Sequence, residues 1–547
     1  MTAGSHDNPA RGRHTRRALV GAAIGLPVLP LLSACTLPGR DDVPDAGLRV
    51  LAAPEVSSLV RLAQEQATAA GYRLVADYRG QAAMYAILAD PDHPYDLVWP
   101  ATSLIIDLAT PARPLGEPVV FAQSPVVWAV KESVADRAGW LGRDDIGTAD
   151  LRDAVMAEKD AWRYAMAGAA HVGSATAAYL GLLAGFGGTD GAITVADLDR
   201  AELTDALIST LRAVTRSAPT ARGLTNVVTR RYGDFELLIN AETEMVAANR
   251  ALVGAGEEPL RAIYPADAQG VLDAPLIAVE GGDPTRRDRA LALQQAMGGG
   301  ALRQPISDAG WYPLVMTGVR PDPAIYVEAW GISDLWRNRI VEPADATTWR
   351  EAMTRYRLAW RKPSVTVIAV DRSGSLADAG ADGLQAALDA VLLPEQTAIS
   401  WLQPMPEDVT IVIPFAAELG RTLTVRGNAA HDLEWLTGQI AEQTSGGGTN
   451  LYDTTRRGLW AIEEAGLGNR LGAVILVTDG QSNEGEIKLV DDAFDDSPIG
   501  EQVPVHAVLT GDSWPDQVQE IVARTAGQVF DSGSELADDL RTARGGN

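Results

Sequence analysis

Three short stretches of the chain combine oxygen-bearing side chains with glycine. Asp371-Arg372-Ser373-Gly374-Ser375 presents one carboxylate and two hydroxyls on a glycine-containing turn. Thr444 to Asn450 (TSGGGTN) puts Thr449 on a glycine-rich turn, and Val477-Thr478-Asp479-Gly480 offers a second carboxylate, Asp479. Two carboxylates and three hydroxyls, with no His or Cys, suit a hard divalent cation: Mg2+ first, with Mn2+ or Ca2+ as alternatives. A different chemistry attaches to Cys35. It is the only cysteine, so it forms no intramolecular disulfide and its thiol must serve another purpose.

The oxygen ligands follow apolar runs. VTVIAV precedes Asp371 and AVILV precedes Thr478, while VTIVIPF and VPVHAVL complete a set of near-continuous hydrophobic strands. They alternate with helical stretches around His431 to Gln443, Leu451 to Ala465 and Pro515 to Thr525. Such a pattern predicts a parallel sheet covered on both faces, a doubly wound domain over residues 364–545, whose ligands would lie beyond the carboxyl ends of its strands. Residues 48–320 show a second α/β rhythm: LRVLAA, a helix over Ser57 to Ala70, YDLVWPA, an apolar strand SPVVWAV, a helix from Ser174 to Ala184, FELLINAE and PLIAVEGG. Between them, residues 321–363 form a helical connector with Trp330, Trp336, Trp349 and Trp360, expected to dock one domain against the next.

The chain has 547 residues, 46% hydrophobic and 22% charged, which implies several packed domains and excludes a mainly disordered chain. A formal charge of −26 repels a phosphate backbone, so nucleic acid is not an expected partner. The first 35 residues differ in character. Arg11, Arg13, Arg16 and Arg17 precede an apolar run from Ala18 to Ala34 that is broken by Pro27 and Pro30. At 17 residues it is shorter than the roughly 20 a spanning helix needs, and it reads as a signal-peptide core. Residues 36–47 have the Pro/Gly/Asp character of a flexible tether.

Leu32-Ser33-Ala34-Cys35 resembles a bacterial lipoprotein lipobox. The resemblance implies a signal peptide over residues 1–35, diacylation of Cys35 and anchoring at the outer face of the cell membrane, since two acyl chains hold where one is marginal. Thr15 to Val20 keeps part of a twin-arginine signal, so the export route stays open between that pathway and the general secretory one.

The Asp371, Thr449 and Asp479 stretches together resemble the metal-ion-dependent adhesion site of von Willebrand factor A domains. By that resemblance Ser373, Ser375 and Thr449 supply hydroxyl ligands, and Asp371 and Asp479 bind directly or through water. The remaining coordination position would take an acidic residue of a partner protein, which is recognition without bond breaking.

Residues 48 to about 320 resemble an extracellular solute-binding protein of the two-lobe, periplasmic-binding type, in its molybdate-like class. The likeness rests on Leu51-Ala52-Ala53-Pro54-Glu55, Asp96-Leu97-Val98-Trp99-Pro100, the VVWAV strand, Gly173-Ser174-Ala175-Thr176 and a closing AGWYP. It implies a ligand between lobes on helix N-termini, with Ser57, Ser58, Thr102, Ser103, Ser174, Thr176 and Asn240 as contacts. Glu55 and Glu242 nearby count against an anion.

The six histidines lack metalloprotease spacing, there is no G-x-S-x-G elbow, and TSGGGTN lacks the end of a phosphate loop, so no catalysis is expected. Two functions are then expected to compete. One is a membrane-anchored binding protein that engages a protein partner through the metal, with the solute-binding-like half as a second recognition module. The other is the solute receptor of an ABC-type importer, with the C-terminal domain as a docking module.

Overall fold

A computed structural model of the protein describes residues 47–157, 162–188, 191–267, 269–341, 344–374, 381–393, 404–442, 446–510, 515–531 and 536–545. All of these belong to one unit, Arg40–Asn547. The signal segment with Cys35, nearly all of the tether, and Ser375 lie outside the described residues.

Three sheets carry the fold. Leu48–Ala52 (β1), Leu74–Tyr78 (β2) and Leu97–Trp99 (β3) pair in parallel in the first. Ala122–Lys131 (β4), Tyr164–Met166 (β5), Leu237–Ala241 (β6), Leu260–Ile263 (β7) and Val271–Leu272 (β8) build the second around the long β4. Ile277–Ala278 (β9) returns to the first sheet, antiparallel to β3, and Tyr312–Pro313 (β10) returns to the second, antiparallel to β4. The chain therefore crosses between two lobes more than once, with β4, the SPVVWAV strand, on the first crossing. Ser57–Ala69 and Gly173–Gly187 are helices, close to the bounds read from sequence.

The third sheet contains Ser364–Asp371 (β11), Val409–Phe415 (β12), Leu423–Arg426 (β13), Leu471–Thr478 (β14), Val505–Leu509 (β15) and Val529–Asp531 (β16). Its order is β13-β12-β11-β14-β15-β16, with β13 antiparallel and the other five parallel. Counted within the domain, that is the doubly wound order 3-2-1-4-5-6, whose switch point falls between β11 and β14. Alternate residues of β11 serve two cores. Val365, Val367 and Ala369 pack with Leu459, Val490 and Val518 on one face, while Ile368 and Val370 pack with Leu388, Leu436 and Leu540 on the other. Burial on both faces is why the strand reads as one hydrophobic run.

The tryptophan connector does not do what its composition suggested. Trp336, Trp349, Tyr356 and Trp360 are buried in the single core of the N-terminal half, with Trp349 and Tyr356 against Tyr179 at ring-centroid distances of 5.7 and 4.9 Å. The seam between the halves is largely polar instead. Arg216 donates to the Gln502 and Thr525 carbonyls at 2.7 and 3.1 Å, Gln528 to the Thr220 hydroxyl at 2.8 Å, and Lys362 to the Val214 carbonyl at 2.6 Å. Arg79 of the first lobe forms a buried ion pair with Asp539 of the last helix, Leu536–Arg544. Lys362, Gln502, Thr525 and Gln528 all stand just before β11, β15 or β16, so this seam runs along the amino ends of the third sheet.

Replacing Trp349 by Ala is expected to cost about 3–5 kcal/mol, the range for emptying a large aromatic site in a core. Urea unfolding should show the loss in the transition of the N-terminal half. A variant that keeps full stability there while the halves separate would restore a docking role.

Candidate functional site

The parallel register of β11 and β14 runs from Ser364 opposite Leu471 to Val370 opposite Val477, so Asp371 and Thr478 end neighbouring strands at the switch point. The Asp371 carboxylate is buried and accepts from the Thr478 hydroxyl at 2.6 Å and from the Ser373 backbone N–H at 2.8 Å. Asp479 follows directly on β14 and is partly exposed. Burial pushes the Asp371 carboxyl up, and the charge of Asp479 adds to that shift, against the donors from Thr478 and Ser373. A nearby cation would relieve the cost of keeping the buried Asp371 carboxylate charged.

The glycine-rich loop is tied to this point. Gly446 N–H donates to the Arg372 carbonyl at 2.8 Å, and Gly374 N–H donates to the Gly447 carbonyl at 3.2 Å. Gly446 and Gly447 have φ of 145° and 89°, which a side chain would oppose. Thr449, buried beside them, is held from the third loop. Its N–H donates to Asn483 Oδ1 at 2.9 Å, and its carbonyl accepts from Asn483 N–H at 2.8 Å and Ser482 Oγ at 3.2 Å. A side chain at Gly448 would stand 2.8 Å from Asn483 Oδ1, so that glycine allows the approach.

Asp371, Ser373, Thr449 and Asp479 are thus carried by three mutually bonded loops. Their donor chemistry, carboxylate and hydroxyl at a like-charged point, fits a hard divalent cation. Among the described residues, here or elsewhere, no group of three or more His, Cys, Asp or Glu is placed to hold a metal ion, so this site would rely on its hydroxyls beside two carboxylates. Sequence reasoning missed the supporting residues Thr478, Ser482 and Asn483. Their signal was proximity, the run TDGQSN directly after the strand.

The inter-lobe cleft has a different character. Ser174 Oγ donates to Asn240 Oδ1 at 2.8 Å, and Asn240 Nδ2 donates to the Ala221 carbonyl at 2.9 Å. Thr176 donates to the Ala169 carbonyl at 2.7 Å and lies within 2.8 Å of Gln81 Oε1. Ser58 accepts from the Trp311 indole at 3.1 Å, Ser103 N–H donates to Asp273 at 2.7 Å, Thr102 is buried and Ser57 is exposed. The structure brings Ser174, Thr176 and Asn240 together but engages their polar groups within the protein, and it places Ser57 outside that network.

The N-terminus of helix Gly173–Gly187, where the resemblance implied a ligand, is met by the chain's own carboxylate. Glu55, on the first lobe, accepts from Gly173 N–H at 2.8 Å and also from Ser174 N–H and its own backbone N–H. Burial pushes its pKa up. The lobes touch at this point: a side chain at Gly173 would meet Ala101 Cβ at 2.5 Å, and Gln81 N–H donates to the His171 carbonyl at 3.1 Å.

Glu242, the first residue of the helix Glu242–Ala255, is fully buried and accepts from Tyr312 at 2.8 Å and from Tyr264. Burial pushes it up to about 7, against those two donors. Because its folded pKa exceeds its unfolded one, the folded protein holds more protons between pH 4.5 and about 7. Stability should therefore fall as pH rises through that window, on the order of 3 kcal/mol for this group. Urea titrations at pH 5 and pH 8 should show the drop, and Glu242→Gln should shrink it. An unchanged difference in the variant would assign the pH dependence elsewhere.

No helix among the described residues is long and apolar enough to cross a membrane. Among solved structures, the chain is similar to the periplasmic binding protein AfuA from Actinobacillus pleuropneumoniae, at 12% identity over 57% of this chain and 97% of that one, with a TM-score of 0.40. It is similar to the sulfate-binding protein SubI from Mycobacterium tuberculosis, at 17% identity over 55% and 93%, TM-score 0.36. A von Willebrand factor type A structure from Catenulispora acidiphila aligns at 17% identity over 34% of this chain and 43% of that one, TM-score 0.27. No curated protein matches the chain in sequence. A family model does: residues 48–312 match that of the bacterial extracellular solute-binding proteins.

Proposed function

We propose that the protein is a lipid-anchored extracytoplasmic binding protein that recognises a protein partner, without catalysis, through a divalent cation in its C-terminal domain. The observation that carries this reading is the meeting of the Asp371, Gly446–Thr449 and Asp479 loops at the switch point between β11 and β14. Ser373, Thr449, Asp371 and Asp479, with Ser375, would hold Mg2+, or Mn2+ or Ca2+ in its place. The bound ion supplies an open position for a partner's Asp or Glu. Asn483 and Ser482 keep Thr449 turned to that point, and Thr478 keeps Asp371 in place. Diacylation at Cys35 and the 36–47 tether would set the body off the outer face of the membrane. The solute-binding domain, its lobes joined through Glu55, is then a rigid scaffold and second recognition surface.

The cation should stabilise the full chain after EDTA treatment. At 100-fold its dissociation constant it contributes about 2.7 kcal/mol, which raises the affected transition on the order of 5–10 °C. Asp371→Ala and Asp479→Ala should abolish both that rise and EDTA-sensitive partner capture. No shift with Mg2+, Mn2+ or Ca2+ would overturn the metal reading.

A second reading, the solute receptor of an ABC-type importer, is favoured by the family match over residues 48–312. The two are separated by Glu55. With the cleft closed on Glu55, sulfate leaves the melting temperature of the unaltered protein unchanged, and Glu55→Ala, which frees the Gly173 N–H, gains a sulfate-dependent rise. A sulfate- or phosphate-stabilised unaltered protein would favour the receptor.

A further inference from the structure

The last helix, Leu536–Arg544, touches both lobes of the N-terminal half. Its apolar residues Leu540 and Ala543 are buried with Leu388 in the C-terminal domain, which fixes one face of the helix there. Asp539 and Thr542, three residues apart and so neighbours on the helix surface, meet the first lobe. Asp539 pairs with Arg79, whose guanidinium also pairs with Asp77, and Thr542 Oγ1 stands 3.4 Å from where a Cβ on Gly80 would lie. Gly545, directly after the helix, meets the second lobe. A Cβ on Gly545 would lie 2.4 Å from the His171 ring, and the Gly545 carbonyl stands 2.9 Å from where a Cβ on Gly168 would lie.

Arg79 and Gly80 follow β2, and Gly168 and His171 follow β5, so the helix meets both lobes at carboxyl ends of their strands. These are the ends at which open α/β sheets hold ligands. The lobes also bond to each other here, through Gln81 N–H on the His171 carbonyl. Opening about the hinge has to part Gln81 from His171. A helix paired with Arg79 on one side and packed against His171 on the other opposes that movement, because it can follow only one lobe. A ligand closes two lobes by making contacts with both that exist only in the closed state. In this protein the chain's own last helix makes contacts of that kind.

We propose that the last helix is an autoinhibitory strap: it holds the two lobes of the N-terminal half closed without a solute, so that opening of the cleft requires the helix to leave one of them. The strap is built from the Asp539–Arg79 pair and the contact of Gly545 with His171. It goes beyond the metal reading and does not rest on it.

The test is the distance between spin labels on Glu65→Cys in the first lobe and Val253→Cys in the second, both exposed positions, in the full chain carrying Cys35→Ser and kept in EDTA. A single distance is expected in the otherwise unaltered protein. Asp539→Asn, which removes the charge facing Arg79, and Gly545→Val, which drives a side chain into the His171 ring, should each add a second, longer distance. Lys362→Met, which loosens the seam away from the helix, should not. Gly545 follows the last helix, so Gly545→Val decides the outcome should Asp539→Asn fail to fold. A distance unchanged in the helix variants, or lengthened equally by Lys362→Met, overturns the proposal.

Discussion

The parallel pairing of β11 with β14 is the constraint on which the candidate metal site depends. A shift of one residue would turn Val365, Val367 and Ala369 from one core into the other, and both cores are filled. The register is therefore fixed by hydrophobic packing on two faces, and with it the position of Asp371 beside Thr478 and Asp479. Packing of apolar side chains thus holds the Asp371 carboxylate in a buried position that raises its pKa. Loop bonds then add what the sheet cannot, bringing Thr449 to the same point through Gly446, Gly447 and Asn483.

Legibility followed the origin of each element's stability. β11, β12, β14 and β15 were readable because burial on two faces writes a continuous apolar run, and the helix Leu451–Ala465 because its apolar face repeats at helical spacing. β8, β9 and β10, of two residues each, carry no such signature. They are strands only because β3 or β4 lies alongside, and PLIAVEGG as a full strand shrank to Ile277–Ala278. The tryptophans announced burial, but composition cannot say against which core an aromatic packs. The seam was illegible for a related reason: arginines that donate to backbone carbonyls leave no charge pattern in the partner segment.

At the cleft, residue types pointed to a polar cluster and the cluster exists, yet its valences are met from within. Glu55 brings a carboxylate to a helix N-terminus, the kind of group such an end attracts. Gly173 and Ala101 allow the lobes to meet there. Ala274, in the crossing between β8 and β9, sits at φ 41°, with its N–H on the Ala101 carbonyl and its own carbonyl on the Trp99 indole at 3.1 and 3.0 Å. An unfavourable backbone conformation at the crossing persists because both sides of the peptide are held.

The polarity of the third sheet joins these observations. Five of its strands run the same way, so its two ends are chemically distinct and cannot exchange roles. At the amino ends, residues before β11, β15 and β16 bond to the N-terminal half. At the carboxyl ends stand Asp371, Thr449 and Asp479. Attachment through one end leaves the other, with Asp371, Thr449 and Asp479, clear of this seam. The N-terminal half in turn gains a fixed orientation through Arg79 and Asp539, which clamp the last helix against the first lobe. One end of the sheet is thus committed to the N-terminal half, and the other carries the candidate site.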